Sequence, residues 1–254
     1  MKIKALFVGV VTALLMTSCA MEVKMAKQFV SQKPLKAAVY FPETAKVTLI
    51  QNEEGEYTKV LDSLNQDAFL DILYASYVEA MGRFGVEVYV PESADAVPVD
   101  STQWLVLLSQ MEIQGLFTDY VDYYYDLVDE YEYTFPLNTV NVASWFDIND
   151  GEWHPTVFCE HNLRDDFSSK VVRGTGGYQY YYESKTITLE DVYNYAVFLG
   201  QLYADYTYND MMNRYIKGQM GKKNLEPRFR LRWDPEERSF YFQEAEEGFV
   251  EIEN

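Results

Sequence analysis

The spacing of apolar and polar residues predicts two strands and a helix in the first third of the chain. Residues 35–41 and 46–51 are short β-prone runs, separated by the turn-forming stretch 42–45. From 63 to 85 apolar residues recur at helical spacing, and Ser63 with Gln66 matches a capping box. The predicted helix buries one stripe of residues, which consists of Phe69, Ile72, Leu73, Ser76 and Ala80.

Strand patterns dominate the middle of the chain. Residues 86–90 and the apolar run from Gln103 predict two strands, and from residue 130 aromatic residues alternate with polar ones. Asn149-Asp150-Gly151 matches a tight hairpin turn, so residues 152–162 are predicted to return as the partner strand. The glycine-rich stretch 174–177 predicts a turn between two further strands.

A second long helix is predicted in the last third. It begins at Thr188, whose spacing to Asp191 is that of a capping box, and it continues to about Lys217. Small residues four apart predict a smooth helix face that lies close against a sheet, formed by Ala196, Gly200 and Ala204. Residues 228–243 predict a small hairpin, and the acidic end 244–254 is either disordered or a docking strip.

This order of elements predicts an α+β fold. We expect a largely antiparallel sheet with two long helices packed on one face, plus a small C-terminal hairpin. The predicted organisation is a signal peptide at 1–18, a lipidated tether at 19–34, an α+β domain at 35–217, and a C-terminal hairpin with an acidic tail at 218–254.

Composition and charge restrict the partners. The 254 residues are 48% hydrophobic, which is ample for the core of one large domain. A formal charge of −19 opposes binding to nucleic acid phosphates and loose adhesion to anionic lipid. The 22 tyrosines are typical of exposed sheets and of interaction surfaces, because the ring is apolar and the hydroxyl stays hydrated.

The N-terminus has the layout of an export signal. A basic start at residues 1–4 precedes an apolar run at 5–16, which is too short for a permanent membrane span, and small or polar residues then lead to Cys19. This order resembles the lipobox of bacterial lipoproteins, with Met16 where Leu is usual. The resemblance implies cleavage before Cys19 and lipidation of that cysteine. An ordinary secretory signal with a chance cysteine is the alternative.

The body also resembles known envelope proteins in its order of elements and in residues 145–153 (WFDINDGEW). It is similar to compact α/β lipoproteins of Gram-negative envelopes, such as the N-terminal domain of Tol-system proteins and auxiliary lipoproteins of export machines. The lipobox, the acidic body and the tyrosine-rich segment predict an outer-membrane protein, anchored through Cys19, that faces the periplasm and binds an envelope protein. Residues 20–24 lack an acidic run typical of surface export, although the cell surface remains an alternative.

The tyrosine-rich segment, residues 118–135, is the candidate binding surface. Its rings either fill one face of a sheet or form a surface for a partner protein or a glycan. The spacing within residues 119–126 fits neither a helix nor a strand, so we expect some rings to be exposed. The candidate residues are Tyr120, Tyr123, Tyr124, Tyr125, Tyr131 and Tyr133.

The best candidate for chemistry is the stretch of residues 153–166. Cys159 and His161 point the same way on a strand, and with His154 they provide a partial zinc site or an activated thiolate. A closed zinc site needs four ligands, and a buried, inert cysteine is the alternative. We therefore assign no catalytic residue, metal or cofactor. The sequence predicts a non-enzymatic envelope adaptor, with a glycan- or ligand-binding surface lipoprotein and a metal-dependent enzyme as alternatives.

Overall fold

The computed structural model describes residues 20–32, 35–93, 97, 103–125, 130–152, 154–174, 177–221, 229–244 and 248–252. The predicted signal peptide and Cys19 lie outside the described residues. The helices are α1 (residues 20–30), α2 (Gln66–Arg83) and α3 (Leu189–Met220). The strands are β1 (Lys36–Tyr40), β2 (Lys46–Leu49), β3 (Glu87–Tyr89), β4 (Gln103–Tyr125), β5 (Glu130–Asn149), β6 (Thr156–Arg164), β7 (Asp166–Gly174), β8 (Gly177–Lys185), β9 (Phe229–Asp234), β10 (Ser239–Glu244) and β11 (Phe249–Ile252).

The main sheet is mixed, which confirms the α+β class. Its strand order is β11-β6-β5-β4-β1-β3, and β2 pairs with β4 beside this path. The strands β4, β5, β6 and β11 are antiparallel neighbours, whereas β1 and β2 both run parallel to β4. The stretch 42–45 is therefore not a hairpin turn. It links β1 to β2, and these two strands pair with successive parts of β4, residues 103–107 and 112–115.

Alternate residues of β5 form the centre of the core. The residues Val140, Val142, Ser144, Phe146 and Ile148 are all buried, whereas most of the residues between them are only partly buried. Tyr203 of α3 packs edge-on against Phe146, with ring centroids 4.6 Å apart, and its hydroxyl lies 2.8 Å from the Ser144 hydroxyl. This hydrogen bond satisfies two polar groups that the core would otherwise bury at a cost.

Two predictions about α3 have different outcomes. The capping box of Thr188 and Asp191 is confirmed. The small-residue face, however, packs against α2 instead of the sheet: a Cβ on Gly200 would lie 2.4 Å from the carbonyl oxygen of Leu73. The Ser76 hydroxyl donates a hydrogen bond to the Val197 carbonyl across the same contact, at 2.8 Å. The two helix backbones thus approach so closely that only glycine fits.

The structure gives two details near the N-terminus that the sequence analysis did not. Residues 20–30, predicted to be part of a tether, form α1, and its Ala26 and Phe29 are buried. The Phe29 ring stacks at 6.0 Å on Trp104, so apolar burial holds this segment against the body. Helix α2 is capped by Asn65, whose side chain accepts from the Ala68 amide, instead of by Ser63.

The C-terminal part joins the same core. The predicted hairpin is confirmed as β9 and β10, and two asparagines of α3 bind its backbone. The side-chain amide of Asn213 donates to the Leu231 carbonyl at 2.8 Å, and the Trp233 amide donates to Asn209 at 2.9 Å. Residues 249–252 of the acidic end form β11, which pairs with β6.

Candidate functional site

The tyrosine-rich segment lies on the longest hairpin of the molecule. Strands β4 and β5 pair continuously from Gln110 and Trp145 out to Tyr125 and Glu130, so residues 119–125 are a regular strand despite their irregular spacing. Strand β2 covers β4 only at 112–115, and β6 covers β5 only at 139–146. Beyond these points, no other strand of the described chain pairs with the hairpin edges.

A second hairpin, β7 with β8, packs on one face of this extension. Its Phe167 lies 4.6 Å from Tyr120 and 4.8 Å from Phe135, and its Tyr182 lies 4.8 Å from Phe135 (ring centroids). The rings of these three pairs are tilted by 37–46°, whereas Phe167 and Tyr182 stack with 26° between their planes. We call residues 116–125 and 130–138, together with β7 and β8, the arm, and the remainder of the described chain the body.

Asp165 fixes the base of the arm. This buried carboxylate accepts hydrogen bonds from the Asn138 amide at 2.9 Å, the Asn138 side chain at 2.8 Å and the Ile187 amide at 2.8 Å. It therefore ties β5 to the segment that precedes α3, at the corner where β6 turns into β7. Sequence reasoning missed this role, because an Asp-Asp pair carries no signal of its distant backbone partners.

The outer parts of the arm expose apolar side chains. Tyr123 is 55% exposed and Tyr133 is 45% exposed, whereas Tyr120 is partly buried against Phe167. The backbones of Tyr124, Tyr125 and Tyr131 lie in β4 and β5, but their side chains are outside the described part of the structure. Further exposed apolar residues of the arm are Val121, Val171, Val172, Tyr178 and Tyr181. Such a concentration of apolar surface is typical of a binding site for another molecule.

The same segment is strongly acidic. Residues 118–135 contain no lysine or arginine, and their acidic residues are Asp119, Asp122, Asp126, Asp129, Glu130 and Glu132. Desolvation, followed by the negative charge of Asp122, raises the pKa of the Tyr182 hydroxyl. Residues 118–135 therefore present aromatic rings among carboxylates, whereas the basic residues of the arm, Lys170, Arg173 and Lys185, lie on β7 and β8.

The histidines and the cysteine occupy different environments. His154 contacts Asp150, with 2.9 Å between Nε2 and Oδ1, in the loop between β5 and β6. Cys159 is fully buried beside Tyr203, and burial raises the pKa of its thiol far above the ordinary value. Burial also lowers the pKa of His161, whose ring packs edge-on at 5.7 Å from Phe249. The described residues include no group of three or more His, Cys, Asp or Glu suited to a metal ion.

The loop that carries His154 is longer than predicted. Strand β5 ends at Asn149 and β6 begins at Thr156, so Asn149-Asp150-Gly151 does not make a tight two-residue hairpin. Gly151 adopts φ 100°, and its amide donates to the Asn149 side chain at 2.8 Å. The turn signal is therefore real, but it begins a wider loop.

This loop borders a cleft of about 630 Å³, together with α1 and the C-terminal end of α3. Arg214 lines the cleft, and its guanidinium is held by Asp210 at 2.7 Å and by the Ile148 carbonyl at 2.9 Å. Asp210 also contacts Arg230 at 3.3 Å. Sequence analysis gave no signal for this cleft, because its walls come from segments far apart in the chain.

Comparison of the chain with protein-family models, curated proteins and solved structures gives no match. Within the described residues, none of the helices combines the length and the apolar character needed to cross a bilayer.

Proposed function

We propose that this protein is a non-enzymatic, lipid-anchored envelope protein that binds a partner protein through its arm. The observation that carries the proposal is the set of exposed aromatic and aliphatic residues on two packed hairpins, represented by Tyr123 and Tyr133. Aromatic side chains are frequent anchors of protein interfaces, since they bury a large area at small entropic cost. Exposed rings do not stabilise the fold, so a purely structural role of the arm does not explain them.

The lipobox-type N-terminus supports the membrane anchor at Cys19. Helix α1 follows directly, and Phe29 fixes its end in the core. At about 1.5 Å per residue, the seven residues from Cys19 to the buried Ala26 would separate the anchor from the core by roughly 10 Å. The body would then stay near the membrane, at the periplasmic face of the outer membrane, with the cell surface as the alternative. Two acyl chains, or more, supply stable anchoring.

In the fold that we propose for this adaptor, α2 and α3 cover one face of the sheet. Two observations support this arrangement: α3 contacts Phe146 and Ser144, and Ser76 of α2 bonds to α3. On the other side of β5, the Asn141 side chain donates to Glu160 at 2.6 Å, and both are polar residues in contact with solvent.

A protein partner suits the arm better than a glycan. Sugar rings stack on flat, exposed aromatic platforms, whereas the rings of Tyr120, Phe135 and Phe167 are tilted and are half-buried between the two hairpins. Chemistry at Cys159 is also disfavoured, because a buried thiol with a raised pKa is not a ready nucleophile.

The test is purification of the full-length protein from native membranes in mild detergent, followed by mass spectrometry. We expect an acylated Cys19 and one envelope protein in stoichiometric amount. Tyr123→Ser should reduce the amount of that partner strongly. The matched control is Tyr57→Ser, because Tyr57 is 39% exposed and lies outside the arm. Purification of the wild-type protein alone, or equal partner recovery with both variants, would overturn the role of the arm, and an unmodified Cys19 would overturn the anchor.

A further inference from the structure

We infer that the outer edge of β4 in the arm captures an extended, basic segment of the partner by strand addition. This inference rests on the proposed function and specifies the chemistry of the partner. It is carried by three features of the same stretch: an unpaired backbone edge, exposed apolar side chains and an unbalanced negative charge.

The direction of the backbone groups can be read from the neighbouring strand. The Ile50 amide donates to the Gly115 carbonyl at 2.8 Å, so the backbone groups of Gly115 point toward the edge where β2 lies. Alternate residues of a strand direct their backbone groups to the same side, and the pairing of β4 with β5 shows no register shift beyond Gln110. The amides and carbonyls of Phe117, Asp119, Val121 and Tyr123 therefore point outward. No strand of the described chain pairs with them.

Such an edge is a template for another strand. Main-chain hydrogen bonds provide affinity in strand addition, and alternate side chains provide specificity. On one face of the edge lie Asp119, Val121 and Tyr123, and on the other face lies Asp122, directly opposite Tyr133. The Tyr182 ring of β8 lies beside Asp122 and Tyr133 on the second face, whereas Asp119, Val121 and Tyr123 on the first face are exposed. An added strand would thus meet the Asp119 carboxylate and the Tyr123 ring on its open face.

The charge identifies the occupant. A second copy of the arm would place one acidic segment against another, so self-pairing is opposed by repulsion between like charges. Lysine and arginine side chains would instead pair with the carboxylates and lie over the tyrosine rings, where cation–π attraction adds to the contact. The occupant that fits is therefore an extended segment in which basic residues alternate with apolar ones.

The probe is a fluorescently labelled peptide of four Lys-Val repeats with blocked ends, and fluorescence anisotropy with the full-length protein measures its binding. We expect binding that weakens with salt, and about tenfold or more weaker binding for a Glu-Val peptide of equal length. Val121→Pro removes one outward amide without removing a donor from the β4–β5 ladder, and proline is tolerated at such edge positions. We expect it to weaken binding about tenfold.

Two further measurements separate strand addition from general attraction to an acidic protein. Asp119→Asn with Asp122→Asn should weaken binding strongly, whereas the matched pair Glu53→Gln with Glu54→Gln, in an exposed loop, should not. In the wild-type protein, hydrogen exchange should slow at the amides of Phe117, Asp119, Val121 and Tyr123 when the peptide binds. This readout does not depend on how well the proline variant folds.

Equal weakening by the two charge pairs, or unchanged exchange at the four amides, would overturn strand capture. Binding of glycan arrays or anionic vesicles in place of the peptide would also overturn it. The proposed function has a separate criterion: if the native partner still co-purifies with Val121→Pro, the adaptor role stands and only the edge mechanism fails. If no partner co-purifies with the wild-type protein, the adaptor role itself fails.

Discussion

The body and the arm both contain many aromatic rings, and they use them differently. In the body, the rings of Tyr77, Phe146 and Tyr203 are almost completely buried, and they contact residues from distant parts of the chain. In the arm, Tyr120 and Phe135 contact the neighbouring hairpin through Phe167, and Tyr123 and Tyr133 are about half exposed. Two packed hairpins cannot bury both of their faces, so the body supplies stability and the arm supplies surface.

The largest expected effect comes from comparing one ring of the body with one ring of the arm. Phe146→Ala should lower the free energy of unfolding by about 3–5 kcal/mol, because it leaves a cavity in the core. Tyr123→Ala should change it by less than about 0.5 kcal/mol, since the ring is already in solvent. Urea unfolding of both variants, followed by circular dichroism, measures the difference. Similar losses of stability for the two variants would contradict the division into body and arm.

The contact between α2 and α3 provides a second test in the body. Gly200→Ala should destabilise the protein by about 3 kcal/mol, because the new methyl group collides with the backbone oxygen of Leu73. Gly218→Ala is the matched control: it lies on the same helix with nothing within 4 Å of the added atom, and the change should stabilise it by about 0.5–1 kcal/mol. Thermal unfolding distinguishes the two variants. Tolerance of alanine at Gly200 would show that the helices can separate without cost.

The sequence predicted the features whose interacting residues lie close together in the chain, and it did not predict those that depend on long-range contacts. The capping box at Thr188 and the hairpin around Asp234 were confirmed because their partners lie within a few residues. Gly200 was recognised as part of a close contact, but its neighbour was assigned to the sheet instead of α2, because spacing shows a smooth face without showing what covers it. The helix at residues 20–30 was not predicted, because the stacking of Phe29 on Trp104 is a long-range contact that the sequence does not show.

In the candidate site, too, local features were predicted and long-range contacts were not. The composition of residues 118–135 identified the tyrosines as a candidate surface, and the structure places Tyr123 and Tyr133 in solvent. The partial burial of Tyr120 was not predictable, because Phe167 reaches it from a hairpin more than 40 residues away. The cleft beside Arg214 is lined by five separate segments of the chain, and the spacing of residues along the sequence does not show which distant segments meet.

The junction of the two regions gives a smaller expected effect. Asp165→Ala should cost about 2 kcal/mol, because three hydrogen-bond donors at the base of the arm lose their acceptor. Hydrogen exchange should speed up first in β7 and β8, while the centre of β5 stays protected. Exposed Asp166 provides the control, since Asp166→Ala should change stability by less than about 0.5 kcal/mol. Uniform loss of protection across body and arm would mean that Asp165 supports the whole fold.

The smallest effect concerns pH at the edge of the body. Burial lowers the pKa of His161 below its unfolded value of 6.5, and Nε2 is buried without a hydrogen-bond partner among the described residues. Between the folded pKa of His161 and 6.5, the unfolded chain therefore binds more protons than the folded one. The stability that neutral His161 contributes is thus present above pH 6.5 and is lost as the pH falls toward the folded pKa. His161→Phe keeps a ring beside Phe249 and removes the titration. Urea unfolding between pH 7.5 and 5.5 should show a steeper loss for the wild-type protein, and the carboxylates common to both chains cancel in the difference. Parallel profiles would mean that His161 is hydrated in the folded protein. The turn at Gly248, where an added Cβ would lie 2.9 Å from His161 Nε2, would then have to open readily.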